Sequence, residues 1–326
     1  MRELLSLLKS LDLHYGGVGS DFQALPLGSV MAQDWDTHIW TRAASAASAL
    51  LSDKDLMIAP QWRAEVLSVH RWFSALFATT PFRNADHVLR GLNTATEKSD
   101  LKNLQVEIKD LLKFALLYTT ESEVSLDLDA LWEADRELAA SLCLVLISPR
   151  FLGSPVAHAK REVILPWLSD KLPQLPDIES LPVGVLHDLY MHCSYADRAD
   201  KHDIKKSINS LIKRKLIANG FHDWDREDFD PFRKKSADGK PVLLVVLEWF
   251  TKGHSIYRTH SLTMEAAREH FHVVAMAYEN CTDEVTRKVF DELVIIPRNH
   301  SLLDQLKQIQ KEAKKRKASI CYMPSV

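Results

Sequence analysis

One short stretch concentrates groups able to do acid–base or anion chemistry: Trp249-Phe-Thr-Lys-Gly-His-Ser-Ile-Tyr-Arg-Thr-His-Ser261. It follows an apolar run, Val242 to Leu247, and leads into a helix predicted over 262–270. In open α/β sheets, ligands bind beyond the carboxyl ends of strands, where helix N-termini also point. Free N–H groups and the helix dipole there favour anions such as phosphate. His260 stands just ahead of the predicted helix, a position that disfavours imidazolium. A neutral imidazole accepts a proton or hydrogen-bonds a substrate. Arg258 and Lys252 add positive charge to the same loop. A capped loop with two surface histidines fits the placement equally well. Zinc fits less well, because no third ligand stands at a usual spacing.

A second group lies in Tyr190-Met-His-Cys-Ser-Tyr-Ala-Asp197 and Lys201-His-Asp203. His192, Asp197, His202 and Asp203 combine imidazoles with carboxylates. The simpler reading is a helix start, with Asp197 or Asp203 as N-cap for a helix carrying Ile204, Ile208, Leu211 and Ile212. Cys193 beside His192 is a weaker nucleophile–base pair, since adjacency in sequence does not create that geometry. Three of the ten glycines fall in His14-Tyr-Gly-Gly-Val-Gly-Ser-Asp-Phe22. This cluster follows a Leu-rich helical stretch rather than a strand, so it reads as a tight turn and not a phosphate loop, with Phe22 available as a contact. Asp223 to Asp230 is acidic but puts Asp228 where a calcium loop needs glycine, and reads as a solvated linker. His270 and His272 read as structural.

These groups need elements to hold them. Ala43 to Leu51 is alanine-rich. Residues 62 to 78 carry a broad apolar stripe, and Leu101, Leu104, Ile108, Leu111, Leu112 and Ala115 share one helical face. Residues 1–150 therefore read as an all-α domain. Six prolines between 149 and 182 mark 151–182 as a connector or a set of short helices. From 183 to 326 the pattern alternates. Apolar runs at Val242–Leu247, Val273–Met276, Leu293–Ile296 and Ile320–Met323 are separated by helical stretches at 262–270, 283–290 and 302–317. That alternation predicts βα units and a parallel, Rossmann-like sheet. The chain stops just after the last run, so the sheet reads as incomplete, with an exposed edge.

Composition narrows the function classes. The chain has 326 residues, 46% apolar and 26% charged, with a formal charge of −3, which suggests two globular domains and no general affinity for nucleic acid. Four scattered cysteines without a CxxC pair argue against a disulfide scaffold or zinc ribbon and fit a cytoplasmic protein. No segment reads as a signal peptide or membrane span.

The octapeptide HSIYRTHS (254–261) after VLLVVLEWF (242–250) resembles the cytoplasmic bacterial N-glycosyltransferases that modify high-molecular-weight adhesins, members of glycosyltransferase family 41. MHCSYAD (191–197), KHDIK (201–205) and HYGG (14–17) fit the same family, and the resemblance covers essentially the whole chain. It implies an all-α N-terminal domain beside a two-lobed GT-B core. It implies inverting transfer of glucose or a related hexose from a UDP-sugar to asparagine in Asn-X-Ser/Thr sequons, without metal or other cofactor. His260 would then lie near acceptor and sugar, and His254 would support its loop. Tyr257 and Arg258 would belong to the substrate loop. His192, Asp197 and His202 would line the acceptor side, and Phe22 would help form a peptide groove. An adhesin polypeptide and a UDP-sugar are the implied partners.

Family members continue well beyond this chain's end. The resemblance therefore implies that the groups holding the nucleotide are largely absent and that the chain alone is inactive. Its competitors are a non-enzymatic protein- or peptide-binding module and an unrelated nucleotide-binding α/β protein. Peptide binding without UDP affinity would favour the module. A donor half supplied in trans would favour the transferase.

Overall fold

The structure, a computed structural model, describes residues 34–78, 80–92, 106–150, 152–222 and 239–324. Two compact units divide the chain, Met1–Lys215 and Leu216–Val326. The division falls later than the Pro-rich window, and residues 183–215 belong to the helical unit rather than to the sheet.

The first unit is built from α1 (Asp34–Ser52), α2 (Arg63–Ala78), α3 (Asp86–Gly91), α4 (Leu111–Leu117), α5 (Leu128–Ala134), α6 (Arg136–Ile147), α7 (Pro155–Lys171), α8 (Val183–His192) and most of α9 (Asp203–Ala218). Helix α6 explains the packing. From Leu138 to Ile147 every residue is buried, so this helix is apolar all round and the others wrap it. Its N-terminus is capped by Asp135, whose carboxylate accepts from the Leu138 N–H at 3.0 Å. Phe73, Leu76, Phe77, Phe114, Leu116 and Trp132 join it in one core. Ile108, expected on a buried face, is 80% exposed. It sits in a 3-10 turn, and the helix proper begins at Leu111. Leu101 and Leu104 lie outside the described residues.

Of the two readings of the proline-rich window, helix holds: one long helix, α7, fills most of it and a 3-10 turn follows. Pro155 opens α7 at its first turn, where a missing N–H costs nothing, and Ser154 caps it by accepting from the Ala157 N–H at 3.2 Å. Pro166 lies inside α7 and cannot donate to the Glu162 carbonyl one turn back. The Arg198 guanidinium donates to that carbonyl instead, at 3.2 Å. A side chain distant in sequence thus satisfies the acceptor that proline leaves open.

The second unit holds β1 (Val242–Leu247), α10 (Ser255–Ala267), β2 (His272–Tyr278), α11 (Glu284–Arg287), β3 (Glu292–Ile296), α12 (Leu302–Arg316) and β4 (Ile320–Tyr322). All pairings are parallel, in the order β3-β2-β1-β4. Period-two alternation splits the apolar residues cleanly. Leu243, Val245 and Leu247 face one side with Val273, Ala275, Ala277 and Met264 of α10. Val242 and Leu244 face the other with Val274, Met276, Ile296 and Ala313 of α12. Strands buried on both faces read as unbroken apolar runs, which is why VLLVVL belongs in the middle of the sheet. The fold is therefore α plus α/β, with a partial Rossmann-like sheet. Strand β4 carries exposed Ile320 and Cys321.

Candidate functional site

The chain runs outward from β1 to β2 to β3, then returns to place β4 on the opposite flank of β1. The strand order reverses between β1 and β4, and doubly wound sheets bind ligands in the crevice at the carboxyl ends beside such a reversal. Two segments with candidate chemistry meet there. The His260 imidazole, on α10 after β1, lies 2.8 Å through Nδ1 from the Tyr322 hydroxyl at the end of β4. Both side chains are half-buried. If Tyr322 donates, His260 carries its proton on Nε2; if His260 donates, Nε2 is a free acceptor. Either way one ring nitrogen is fixed and the other is left for a ligand. Tyr322 was not among the residues singled out from sequence. Its position at the carboxyl end of a predicted strand was the available signal.

The helix begins earlier than predicted. Ser255, not Leu262, opens α10, and His254 is its N-cap, with Nδ1 accepting from the Ile256 N–H at 3.4 Å. His260 therefore sits in the second turn, and the argument that a helix N-terminus disfavours its charged form does not hold. His254 occupies the terminal position instead. A protonated Nδ1 cannot accept, so capping requires this nitrogen bare. The fully buried Phe250 anchors the preceding loop, its N–H donating to the Cys281 carbonyl at 2.7 Å. Tyr257 packs edge-on against Phe250 at 5.3 Å between centroids, so its ring supports the loop. Arg258 is exposed and has no side-chain partner among the described residues.

Asp283 fixes the other side of this loop. Its carboxylate accepts from the Lys252 N–H at 2.8 Å and from the Thr286 N–H at 2.9 Å. These bonds, the Lys252 one first, hold the Asp283 carboxyl below the usual carboxylate range. The loop carrying Lys252 is thus tied to the N-terminus of α11.

The second set of candidates lies in the helical unit. His192 ends α8, and its Nδ1–H donates to the Ser148 carbonyl at 2.7 Å. That leaves Nε2 as an acceptor. His192 lines a groove of about 1390 Å³ between α2 and α8, across the ends of α6. His202 is exposed, with Nδ1 3.8 Å from the Cys193 sulfur. Burial pushes the Cys193 thiol up, so it is not an activated nucleophile. Asp197 is exposed, and its backbone N–H donates to Glu162 Oε1 at 3.1 Å. Asp203 is the first residue of α9 and pairs with Lys206 at 2.7 Å. His192, Asp197 and His202 are thus held on the helical unit by separate partners. Phe22, the HYGG turn and the acidic 223–230 segment lie outside the described residues. Among the described residues no cluster of three or more His, Cys, Asp or Glu side chains could hold a metal ion, and no helix is long and apolar enough to cross a membrane.

The family model of HMW1 domain 2 matches residues 129–216, which run from α5 into α9. The chain is 36% identical over 327 residues to a protein of Actinobacillus pleuropneumoniae serotype 5b (strain L20) named UDP-glucose:protein N-beta-glucosyltransferase, covering 99% of this chain. A protein of the same name from serotype 7 (strain AP76) is also 36% identical over 99% of this chain. The chain spans about half the length of these relatives, 52% in each case. With an HMW1 domain 2 match in its helical unit and 36% identity along nearly its whole length, the chain is similar to these proteins over the half of them that it spans.

Proposed function

We propose that the chain forms the acceptor-facing part of a cytoplasmic protein N-glycosyltransferase. In this reading the complete enzyme moves glucose, or a related hexose, from a UDP-sugar to asparagine in Asn-X-Ser/Thr sequons of an adhesin polypeptide. The observation that carries the proposal is the pairing of His260 with Tyr322 at the β1/β4 crevice, in a chain similar along nearly its whole length to proteins named as glucosyltransferases.

The chemistry follows from what the transfer requires. The anomeric carbon exchanges its bond to the UDP oxygen for a bond to the asparagine nitrogen. Attack from the face opposite the departing UDP inverts that carbon. The amide must lose a proton, which in this proposal passes to the free ring nitrogen of His260, and UDP leaves with added negative charge. In this proposal the free ring nitrogen of His260 meets the acceptor or the sugar. His254 holds the start of α10, and Arg258 and Lys252 supply positive charge near the leaving group. Cations and helix N-termini take the place of a metal in neutralising the diphosphate. His192, Asp197 and His202 serve the polypeptide.

The test supplies this chain with the part of the Actinobacillus relative that it does not span, together with UDP-[14C]glucose and an Asn-X-Thr peptide. We expect label in the peptide only when both polypeptides are present, and none when Gln replaces Asn. No incorporation by the mixture, while the intact relative labels the same peptide, overturns the reading.

A further inference from the structure

The groove in the helical unit has an unbalanced charge pattern. Its wall carboxylates are largely engaged. Glu137 pairs with Arg63 at 2.6 Å, and Glu179 with Lys215 at 2.6 Å. Asp188 lies 3.7 Å from His187. Arg71, by contrast, is half-buried in the wall and stacks over Trp72 at 5.6 Å. Its guanidinium has no acid among the described residues, and its Nε is buried without a hydrogen-bond partner. The opposite wall includes the first turn of α8, whose N-cap is Pro182 and offers no side-chain cap. The N–H groups of that turn add a second source of positive potential. The groove thus offers a carboxylate a charge-assisted fork in a partly dry setting.

Its dimensions choose the kind of ligand. The wall along α2 and the turn before it runs from Pro60 to Arg71. At a helical rise of ~1.5 Å per residue that is about 17 Å. An extended chain at ~3.3 Å per residue covers that length with about five residues. Small-molecule pockets are more compact, at about 300–1,000 Å³. His192 lines the same groove, with its Nδ1 held by the Ser148 carbonyl.

We propose that this groove docks an extended acidic segment of the acceptor polypeptide, with one Asp or Glu carboxylate on Arg71. The inference rests on the reading of the chain as one that acts on a polypeptide. Binding is measured without any sugar donor, so failure of docking and failure of transfer register separately.

The probe is a synthetic fluorescent peptide carrying Asp and Glu on both sides of an Asn-X-Thr sequence, titrated into the purified chain. We expect saturable binding that a Lys-for-acid version of the peptide does not show. Arg71→Glu should weaken it by about tenfold to a hundredfold, the worth of one charge-assisted hydrogen bond. Arg71→Lys should retain most of the affinity, which separates charge from folding. As a check on the unaltered chain, a photo-crosslinking version of the peptide should label 60–71 and 179–192. Three results overturn the proposal: unchanged affinity in Arg71→Glu, cross-links elsewhere, or displacement by inorganic polyphosphate as effective as by unlabelled acidic peptide. The last would mark a general anion surface.

Discussion

Replacing Tyr322 with Phe removes one oxygen atom from the β1/β4 crevice and leaves the ring in place. The ring packs against the apolar cluster of Leu243, Val245 and Met264, so no cavity opens. What is lost is the 2.8 Å hydrogen bond to His260. A hydrogen bond of this kind contributes about 0.5–1.5 kcal/mol net. For a unit of roughly 110 residues, a loss of ~1 kcal/mol lowers the melting temperature by about 4–6 °C. Tyr322→Ala adds the loss of a half-buried ring, a further ~2 kcal/mol. The specific readout is the His260 imidazole in long-range 15N–1H spectra. In the parent chain Tyr322 holds Nδ1 and not Nε2, so the two ring nitrogens should give distinct shifts. In Tyr322→Phe the ring nitrogens should move toward averaged shifts. Identical imidazole spectra and an unchanged melting temperature would refute the argument that β4 orients His260.

Other perturbations test the elements around the crevice and the helical unit. His254→Ala removes the N-cap of α10 and should cost about 0.5–1 kcal/mol, while His254→Ser should restore most of it in urea unfolding. Arg161, 1% exposed, donates to the carbonyls of Ile147, Pro149 and Arg150 at and just beyond the end of α6. Arg161→Leu leaves these acceptors without their donor and should destabilise the helical unit by about 2–4 kcal/mol. Glu292 accepts from Arg316 at 2.6 Å and from His272 at 2.8 Å, and these bonds hold its carboxyl below the ordinary 4.5. The stabilisation is fully present above pH 4.5 and disappears as pH falls through the depressed value. Glu292→Gln should therefore lower stability at neutral pH and flatten the acid limb of the unfolding profile.

The sheet was legible because its strands are local patterns. Val242–Leu247 is apolar without interruption, as a strand buried on both faces must be, and the four runs appear in the structure within a few residues of their predicted bounds. The helical unit was legible in class but not in extent. Pro166 inside α7 is tolerated because Arg198, far along the chain, donates to the carbonyl it frees, and no local pattern announces that. The start of α10 was missed because histidine seldom serves as an N-cap, so His254 gave no local signal for a helix beginning at Ser255. His260 was singled out from its loop. Its partner Tyr322 was not, because their meeting depends on β4 crossing back to the far flank of β1, a fact of topology. Arg71 stood inside an apolar helical stripe and drew no notice. Its significance lies in which acids are already paired with other cations.

The most direct measurement is the rate of hexose transfer to an Asn-X-Thr peptide when His260→Ala replaces the parent chain in the mixed assay. Positioned acid–base groups contribute about 10²–10⁴-fold to such steps. The account predicts a loss of that order at unchanged folding, with Tyr322→Phe falling between parent and His260→Ala. A His260→Ala chain that labels the peptide at the parent rate would contradict it.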